Sequence, residues 1–118
     1  MSEPAGAAAP QFSFDIEVQA DAAVVHCAGR LMGESGNLLR NEVKKLIAPG
    51  KRVVLDLTKV THIDSTGLSA VVSLYVSSKS AGCRLELVNL GPKVLQLFSI
   101  ANLLSLFESA GDGTFRIP

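Results

Sequence analysis

Apolar and polar residues alternate along the segment FSFDIEVQAD, which begins at Phe12. Successive side chains of a strand point to opposite faces, so this alternation predicts a strand with one apolar face. That face would carry Phe12, Phe14, Ile16 and Val18. The segment AVVHCAG predicts a second strand that ends at Gly29, and a turn at Asp21 and Ala22 precedes it. The two strands are therefore expected to form an antiparallel hairpin.

Apolar residues then recur at intervals of three and four, which is typical of amphipathic helices. In GESGNLLRNEVKKLIAPG, Ser35 or Asn37 is the predicted N-cap, and Pro49 would end the helix. The apolar face of this helix would hold Leu38, Leu39, Val43, Leu46 and Ile47. A second helix is predicted to end at Gly82. Its apolar face would hold Leu68, Val71, Val72, Tyr75 and Val76, and its other face Ser69, Ser73, Ser77 and Ser80.

Two short apolar runs, Arg52–Leu57 and Arg84–Leu90, flank the second helix and predict buried strands. A strand, a helix and a strand form a unit in which the two strands run parallel with a right-handed crossover. A third helix would begin near Pro92 and bury Val94, Leu95, Phe98 and Ala101. The order of elements predicts a single α/β domain with a mixed sheet of four to five strands and helices mainly on one face. Its expected limits are 12–108, between a disordered tail at 1–11 and a C-terminal tail at 109–118.

The composition restricts the classes of partner. A chain of 118 residues with 47% hydrophobic residues suits one domain with a substantial core. The formal net charge is zero, which provides no overall attraction to nucleic acid or to an anionic membrane. No apolar run is long enough to span a bilayer, and the first residues lack a secretory signal. We therefore expect a cytoplasmic protein that neither inserts into membranes nor binds nucleic acid directly.

The cysteines and histidines predict no metal site. Cys27 and Cys83 fall in or beside strand segments, where buried, reduced thiols are expected. His26 and His62 have no ligand partner at a spacing that binds zinc. No bound metal or cofactor is expected.

The segment VTHIDSTGLSAV carries the densest chemistry of the chain. Asp64, Ser65 and Thr66 lie where a buried strand leads into a helix, which is where parallel α/β sheets bind ligands. These side chains can simply cap the helix, since the first backbone N–H groups of a helix lack partners. Gly67 costs helix propensity at that point, which suggests a close approach to its backbone. Capping and a functional site thus remain two open interpretations.

Catalysis by this segment is weakly supported. A nucleophilic serine requires a base within hydrogen-bond distance, and His62 need not reach Ser65. The nucleophile elbow, the phosphate-binding loop and the dinucleotide motif are all missing from the sequence. We therefore expect a protein that is not an enzyme and has no catalytic residue. A hydroxyl at this place can instead accept a phosphate, which adds about −1.5 to −2 charge at pH 7.

The run VVLDLTKVTHIDSTGL, followed by a helix that begins GPKVLQLF, resembles the core of a STAS domain. It is most similar to the bacterial anti-sigma factor antagonists, and the resemblance extends from about Phe12 to Phe107. It implies a protein that binds an anti-sigma factor, which is often also a serine kinase, and thereby releases a sigma factor that directs transcription. It also implies that the kinase phosphorylates Ser65 and weakens the complex, and that a PP2C-type phosphatase reverses this step. The implied partner-binding residues are Asp64, Thr66, Gly67, Leu68, Ser69 and Arg30.

Three positions depart from the family pattern. Arg30 stands where many relatives have an acid, Met32 where they have Asp, and Ser69 where they have Gly. The last helix that is usual in the family is expected to be missing or short in the residues after Phe107. An alternative is a STAS scaffold, either in a stress-signalling complex or as a subunit of a lipid transporter, without a phosphorylation switch.

Overall fold

The computed structural model describes residues 12–109 and 114–116. The predicted tail at 1–11 lies outside these residues. The strands are β1 (Phe12–Val18), β2 (Ala22–Leu31), β3 (Arg52–Ile63), β4 (Arg84–Val88), β5 (Glu108–Ser109) and β6 (Thr114–Arg116). The helices are α1 (Glu34–Lys44), α2 (Ser65–Ala81) and α3 (Pro92–Ile100), followed by a short 3-10 helix at Leu104–Leu106.

The strands of the described residues form one mixed sheet in the order β1-β2-β3-β4-β6-β5. β1 and β2 pair antiparallel, which confirms the predicted hairpin. β3 pairs in parallel with both β2 and β4, which confirms the unit built around α2. The α/β class is therefore confirmed. The four long strands fall within the predicted number, and the short β5 and β6 add two more at the far edge.

Residues 109–118 were expected to form a tail, yet Thr114–Arg116 pair with β4. This strand is three residues long and follows two glycines, so no alternation of apolar residues indicates it.

Alternate residues of β2, β3 and β4 face the helices and form the core. Fully buried positions include Val25, Leu55, Leu57, Leu85 and Leu87 from the strands and Leu39, Val43, Leu74 and Phe98 from the helices. Because aliphatic side chains of this size contribute about 2 kcal/mol each when fully buried, this cluster dominates the stability of the domain. Cys27 and Cys83 are buried free thiols, and burial raises the pKa of Cys27 to about 12.

Several element boundaries differ from the prediction. β2 continues beyond Gly29 to Leu31, and β3 continues beyond Leu57 to Ile63. These extensions pair with each other, with two register shifts. Polar residues such as Thr58 and Lys59 hide the extension of β3 in the sequence, because that end of the strand is partly exposed.

The predicted helix faces are partly wrong. In α1, Leu38 is half exposed. The N-cap of α1 is Gly33, which makes no side-chain hydrogen bond, so the predicted caps Ser35 and Asn37 are wrong. In α2, Val76 is exposed, whereas Leu74 is fully buried. In α3, Val94 and Phe98 are buried as expected, but Ala101 lies just beyond the helix and is exposed. Among the described residues, no helix is both long and apolar enough to cross a membrane.

A hydrogen-bonded cluster joins β1, β2 and β3 on the face opposite to Val25 and Leu55. Nδ1 of His26 lies 2.9 Å from Oδ2 of Asp56, and its Nε2 lies 3.1 Å from Oε1 of Glu17. Both ring nitrogens can donate only when the imidazole is protonated. The hydrogen bond to Glu17, followed by that to Asp56, raises the pKa of His26, and His26 in turn lowers the pKa of Glu17.

We expect this cluster to make the stability of the hairpin depend on pH. A raised imidazole pKa stabilises the fold below the unfolded pKa of about 6.5, and this effect is lost as pH rises through the folded pKa. The lowered pKa of Glu17 stabilises the fold above the unfolded value of about 4, and this stabilisation is lost as pH falls through the folded pKa. The protection factor of the β1 amides, which is the intrinsic exchange rate divided by the observed rate, should therefore be largest between these two limits and fall at higher pH. His26→Gln should remove this fall and His62→Gln should retain it; equal behaviour of both variants would contradict the assignment.

Candidate functional site

The segment singled out in the sequence lies where β3 ends and α2 begins. Asp64 occupies the single position between Ile63 and the first helical residue, Ser65. Its backbone N–H donates to the carbonyl of Leu31 at 3.3 Å, so the ends of β2 and β3 meet here. The segment thus lies at the carboxyl ends of two parallel strands, where α/β domains commonly bind ligands.

The carboxylate of Asp64 holds the turn together. Its Oδ1 accepts hydrogen bonds from the backbone N–H groups of Thr66 and Gly67, both at 3.0 Å. Its Oδ2 accepts from the backbone N–H of Gly33 at 3.1 Å, which links the start of α2 to the loop before α1. The predicted helix cap is therefore confirmed, and it also connects two loops.

These hydrogen bonds keep Asp64 ionised. The hydrogen bond from the Thr66 hydroxyl makes the largest contribution to lowering the pKa of Asp64, and the N–H groups of Gly67, Gly33 and Thr66 lower it further. Slight burial acts in the opposite direction without reversing the shift. At neutral pH the residue next to Ser65 is consequently a carboxylate.

The two hydroxyls of the turn have different surroundings. Oγ1 of Thr66 lies within hydrogen-bond distance of the Asp64 carboxylate and of the Gly33 carbonyl, to which the distance is 3.1 Å. Its single proton is therefore engaged within the turn. The side chain of Ser65 is exposed, and the described part of the chain offers its hydroxyl no hydrogen-bond partner. Ser65 is thus the hydroxyl of the turn that is available to another molecule.

Gly67 belongs to the scaffold of the turn. It is buried, and a Cβ atom at this position would lie 2.5 Å from the carbonyl oxygen of Leu31 and 2.7 Å from Cγ1 of Ile63. Its lack of a side chain lets α2 approach the ends of both strands. Gly67 therefore shapes the turn by letting α2 pack closely on the strand ends, and a direct contact of Gly67 with a partner stays a prediction.

Gly36 is a positioning residue that the sequence analysis missed. It is buried in α1, and a Cβ atom there would lie 2.7 Å from the carbonyl oxygen of Thr66. The first turns of α1 and α2 consequently touch through their backbones. The available signal was a glycine at the predicted start of this helix, between the two candidate caps Ser35 and Asn37.

The other predicted partner-binding residues lie around Ser65 in different settings. Ser69 is exposed one turn along α2, and Leu68 is half-buried against the core. Arg30 is exposed near the end of β2, where it pairs in register with His62 of β3. Arg30 therefore lies near the carboxyl ends of β2 and β3, as the turn does.

A groove of about 390 Å³ runs between α1 and α2 beside the turn. It is lined by Asn37, Arg40, Ser65, Thr66, Ser69, Ala70 and Ser73. Three serine hydroxyls therefore lie on its α2 side. The sequence alone leaves open whether the serine-rich face of α2 is a solvated surface or an interface, and the structure assigns its first half to this groove.

A sequence model of the STAS domain matches residues 13–116, which is most of the chain. The chain belongs to the STAS domain family. The anti-sigma-B factor antagonist of Bacillus subtilis (strain 168) is 31% identical over 84 residues, which are 71% of this chain and 77% of that protein. The predicted membership of the family is thereby confirmed.

Solved structures of other STAS proteins share the fold. An anti-sigma factor antagonist from Mycobacterium paratuberculosis superimposes with a TM-score of 0.71 at 20% identity, over 82% of this chain and 84% of that one. The Bacillus cell fate determinant SpoIIAA in its phosphorylated form gives a TM-score of 0.62 at 20% identity, over 77% and 85% of the two chains. At these identities the similarity is one of fold.

Proposed function

We propose that this STAS domain is an anti-sigma factor antagonist whose binding to its anti-sigma factor is switched off by phosphorylation of Ser65. The observation that carries the proposal is the contrast within the turn. The hydroxyl of Ser65 is exposed and free of partners in the described residues, whereas the hydroxyl of Thr66 is engaged by Asp64 and Gly33. The curated relative from Bacillus subtilis, an anti-sigma-B factor antagonist, supports the general role.

The phosphate would act by charge and by desolvation. Docking of a partner over Ser65 removes water from the turn, and a dianionic group there would have to be desolvated next to the ionised Asp64. The unphosphorylated turn carries only the carboxylate of Asp64. Its charge is stabilised by hydrogen bonds from backbone N–H groups and from the Thr66 hydroxyl. A kinase would therefore disable the surface and a phosphatase of the PP2C type would restore it. The chain would be the substrate of both enzymes and contribute no catalytic group.

Transfer of phosphate to Ser65 tests the proposal. The anti-sigma factor would be recovered by co-purification with the Ser65→Ala protein, identified by mass spectrometry, and incubated with labelled ATP and each variant. We expect one phosphate on the wild-type protein, none on Ser65→Ala, and full labelling of Thr66→Ser, which retains the hydroxyl that the turn requires. Labelling that persists in Ser65→Ala and vanishes in Thr66→Ala would identify Thr66 as the acceptor and refute the assignment.

The same experiment separates the alternative function. A STAS scaffold, or a subunit of a transporter, would bind its partner through this edge without accepting a phosphate. Such a protein would co-purify with a partner that lacks kinase activity, and it would carry no phosphate at Ser65 after incubation with that partner and ATP.

A further inference from the structure

Two of the backbone donors at the start of α2 are already occupied. Asp64 accepts from the N–H groups of Thr66 and Gly67, so its charge fills the place where a helix would otherwise attract an anion. A phosphate on Ser65 would meet a neighbouring carboxylate that already holds the N–H groups of Thr66 and Gly67. Because like charges repel, the phosphate is expected to turn away from Asp64 and towards a cation of the groove.

The cation of the groove is Arg40, on the wall opposite to Ser65. Ser65 and Arg40 both line the groove, and among its lining residues Arg40 is the one with a charged side chain. Arg40 is half-buried, and within residues 12–109 and 114–116 no carboxylate lies within 4 Å of its guanidinium. Its charge is therefore not neutralised by an ion pair in the described structure.

The helix geometry directs Arg40 towards Ser65. Gly36 contacts the carbonyl of Thr66, and Arg40 lies four residues later, on the same face of α1. Long side chains of a helix lean towards its N-terminus, which is the end of α1 that packs against the first turn of α2. One helical turn rises about 5.4 Å, a distance that an arginine side chain can span.

We propose that Arg40 is the internal receptor of phosphoserine at position 65. Its planar guanidinium would donate two N–H groups to the phosphate oxygens across the groove, as arginine does in phosphate recognition generally. This inference rests on the proposed phosphorylation of Ser65 and states how the phosphorylated form is held. The phosphate would be fixed over the groove and Arg40 would be withdrawn from any partner that uses it.

The ionisation of the phosphate itself tests this contact. Phosphoserine can be installed at position 65 during translation, so the experiment needs no kinase. Phosphorus NMR then gives the second pKa of the phosphate, ordinarily about 6, in the folded wild-type protein and its variants. We expect Arg40→Ala and Arg40→Gln each to raise this pKa by about half a unit or more. Lys44→Ala removes an equal charge from the exposed last turn of α1 and should shift the pKa by much less.

An unchanged phosphate pKa in either folded Arg40 variant, or a shift as large in Lys44→Ala, would overturn the proposal. Arg40→Gln retains most of the side chain, so it supplies the result if Arg40→Ala fails to fold. The two proposals fail separately. If no kinase labels Ser65 while the phosphate pKa still depends on Arg40, the switch is wrong and the receptor groove stands. If Ser65 is labelled and Arg40 has no effect, only the receptor is wrong.

Discussion

Replacement of Gly67 by alanine is expected to destabilise the domain by about 2 kcal/mol or more, in spite of the better helix propensity of alanine. The new Cβ atom would lie 2.5 Å from the carbonyl oxygen of Leu31 and 2.7 Å from Cγ1 of Ile63. The carbonyl oxygen of Leu31 belongs to the backbone and cannot rotate away as a side chain can. The helix α2 would therefore have to move off the strand ends. The same carbonyl accepts the N–H of Asp64, so the movement also disturbs the turn that presents Ser65.

Thermal or urea unfolding measures this effect, and a fall in Tm of about 10 °C is expected for a domain of this size. Gly91→Ala is the matched control. Gly91 has φ of −68°, and a Cβ atom added there would have no heavy atom within 4 Å beyond its chain neighbours. Gly91 is the N-cap of α3, where alanine is less favourable than glycine, so its replacement should cost at most about 1 kcal/mol. If Gly67→Ala unfolds no earlier than Gly91→Ala, the close packing of α2 on the strand ends does not limit stability.

The turn could be predicted from the sequence because its main interactions are local. An aspartate followed by two hydroxyl residues and an apolar repeat is a strong signal for the start of a helix. Asp64 caps its own helix two and three residues ahead, as this signal indicates. The link from Asp64 to Gly33 could not be predicted, because it depends on how the loop before α1 folds over the sheet.

The close approach of α1 and α2 could also not be predicted from the sequence. Gly36 and Gly67 have their effect through backbone atoms of distant segments, and nothing in the local sequence names those segments. The inner face of α2 was misjudged for a related reason. The helix is apolar around much of its circumference, so two stripes fit the helical period equally well. The stripe with the smaller residues is the buried one, with Ala70 and Leu74 buried while Val76 remains exposed.

The buried serine of α2 illustrates the same limit. Ser78 is fully buried, and its hydroxyl has no partner in the described structure. A pattern that places serines on the solvent-exposed face of a helix does not foresee this burial.

Ser65→Asp is expected to weaken binding of the anti-sigma factor by tenfold or more, which corresponds to at least about 1.4 kcal/mol. The reason is electrostatic: a second carboxylate would stand directly beside Asp64, at the point where docking excludes water. Ser65→Ala removes only a hydroxyl that has no partner in the described residues, and should bind as tightly as the unphosphorylated wild-type protein. Calorimetry or surface plasmon resonance with the purified anti-sigma factor gives the three dissociation constants.

Ser80→Asp is the matched control for this comparison. It adds the same charge to the same helix, at an exposed residue fifteen positions from Ser65, which corresponds to about 22 Å along the axis. That distance exceeds the Debye length of about 8 Å at physiological salt, so its charge is screened from the turn. The dissociation constant of Ser80→Asp should therefore match that of the wild-type protein within about twofold, since surface changes remote from a binding site cost little. If Ser65→Asp and Ser80→Asp weaken binding equally, the effect is one of net charge and the turn at Ser65 is not where the partner docks. If neither weakens it, a negative charge at Ser65 does not act as the switch.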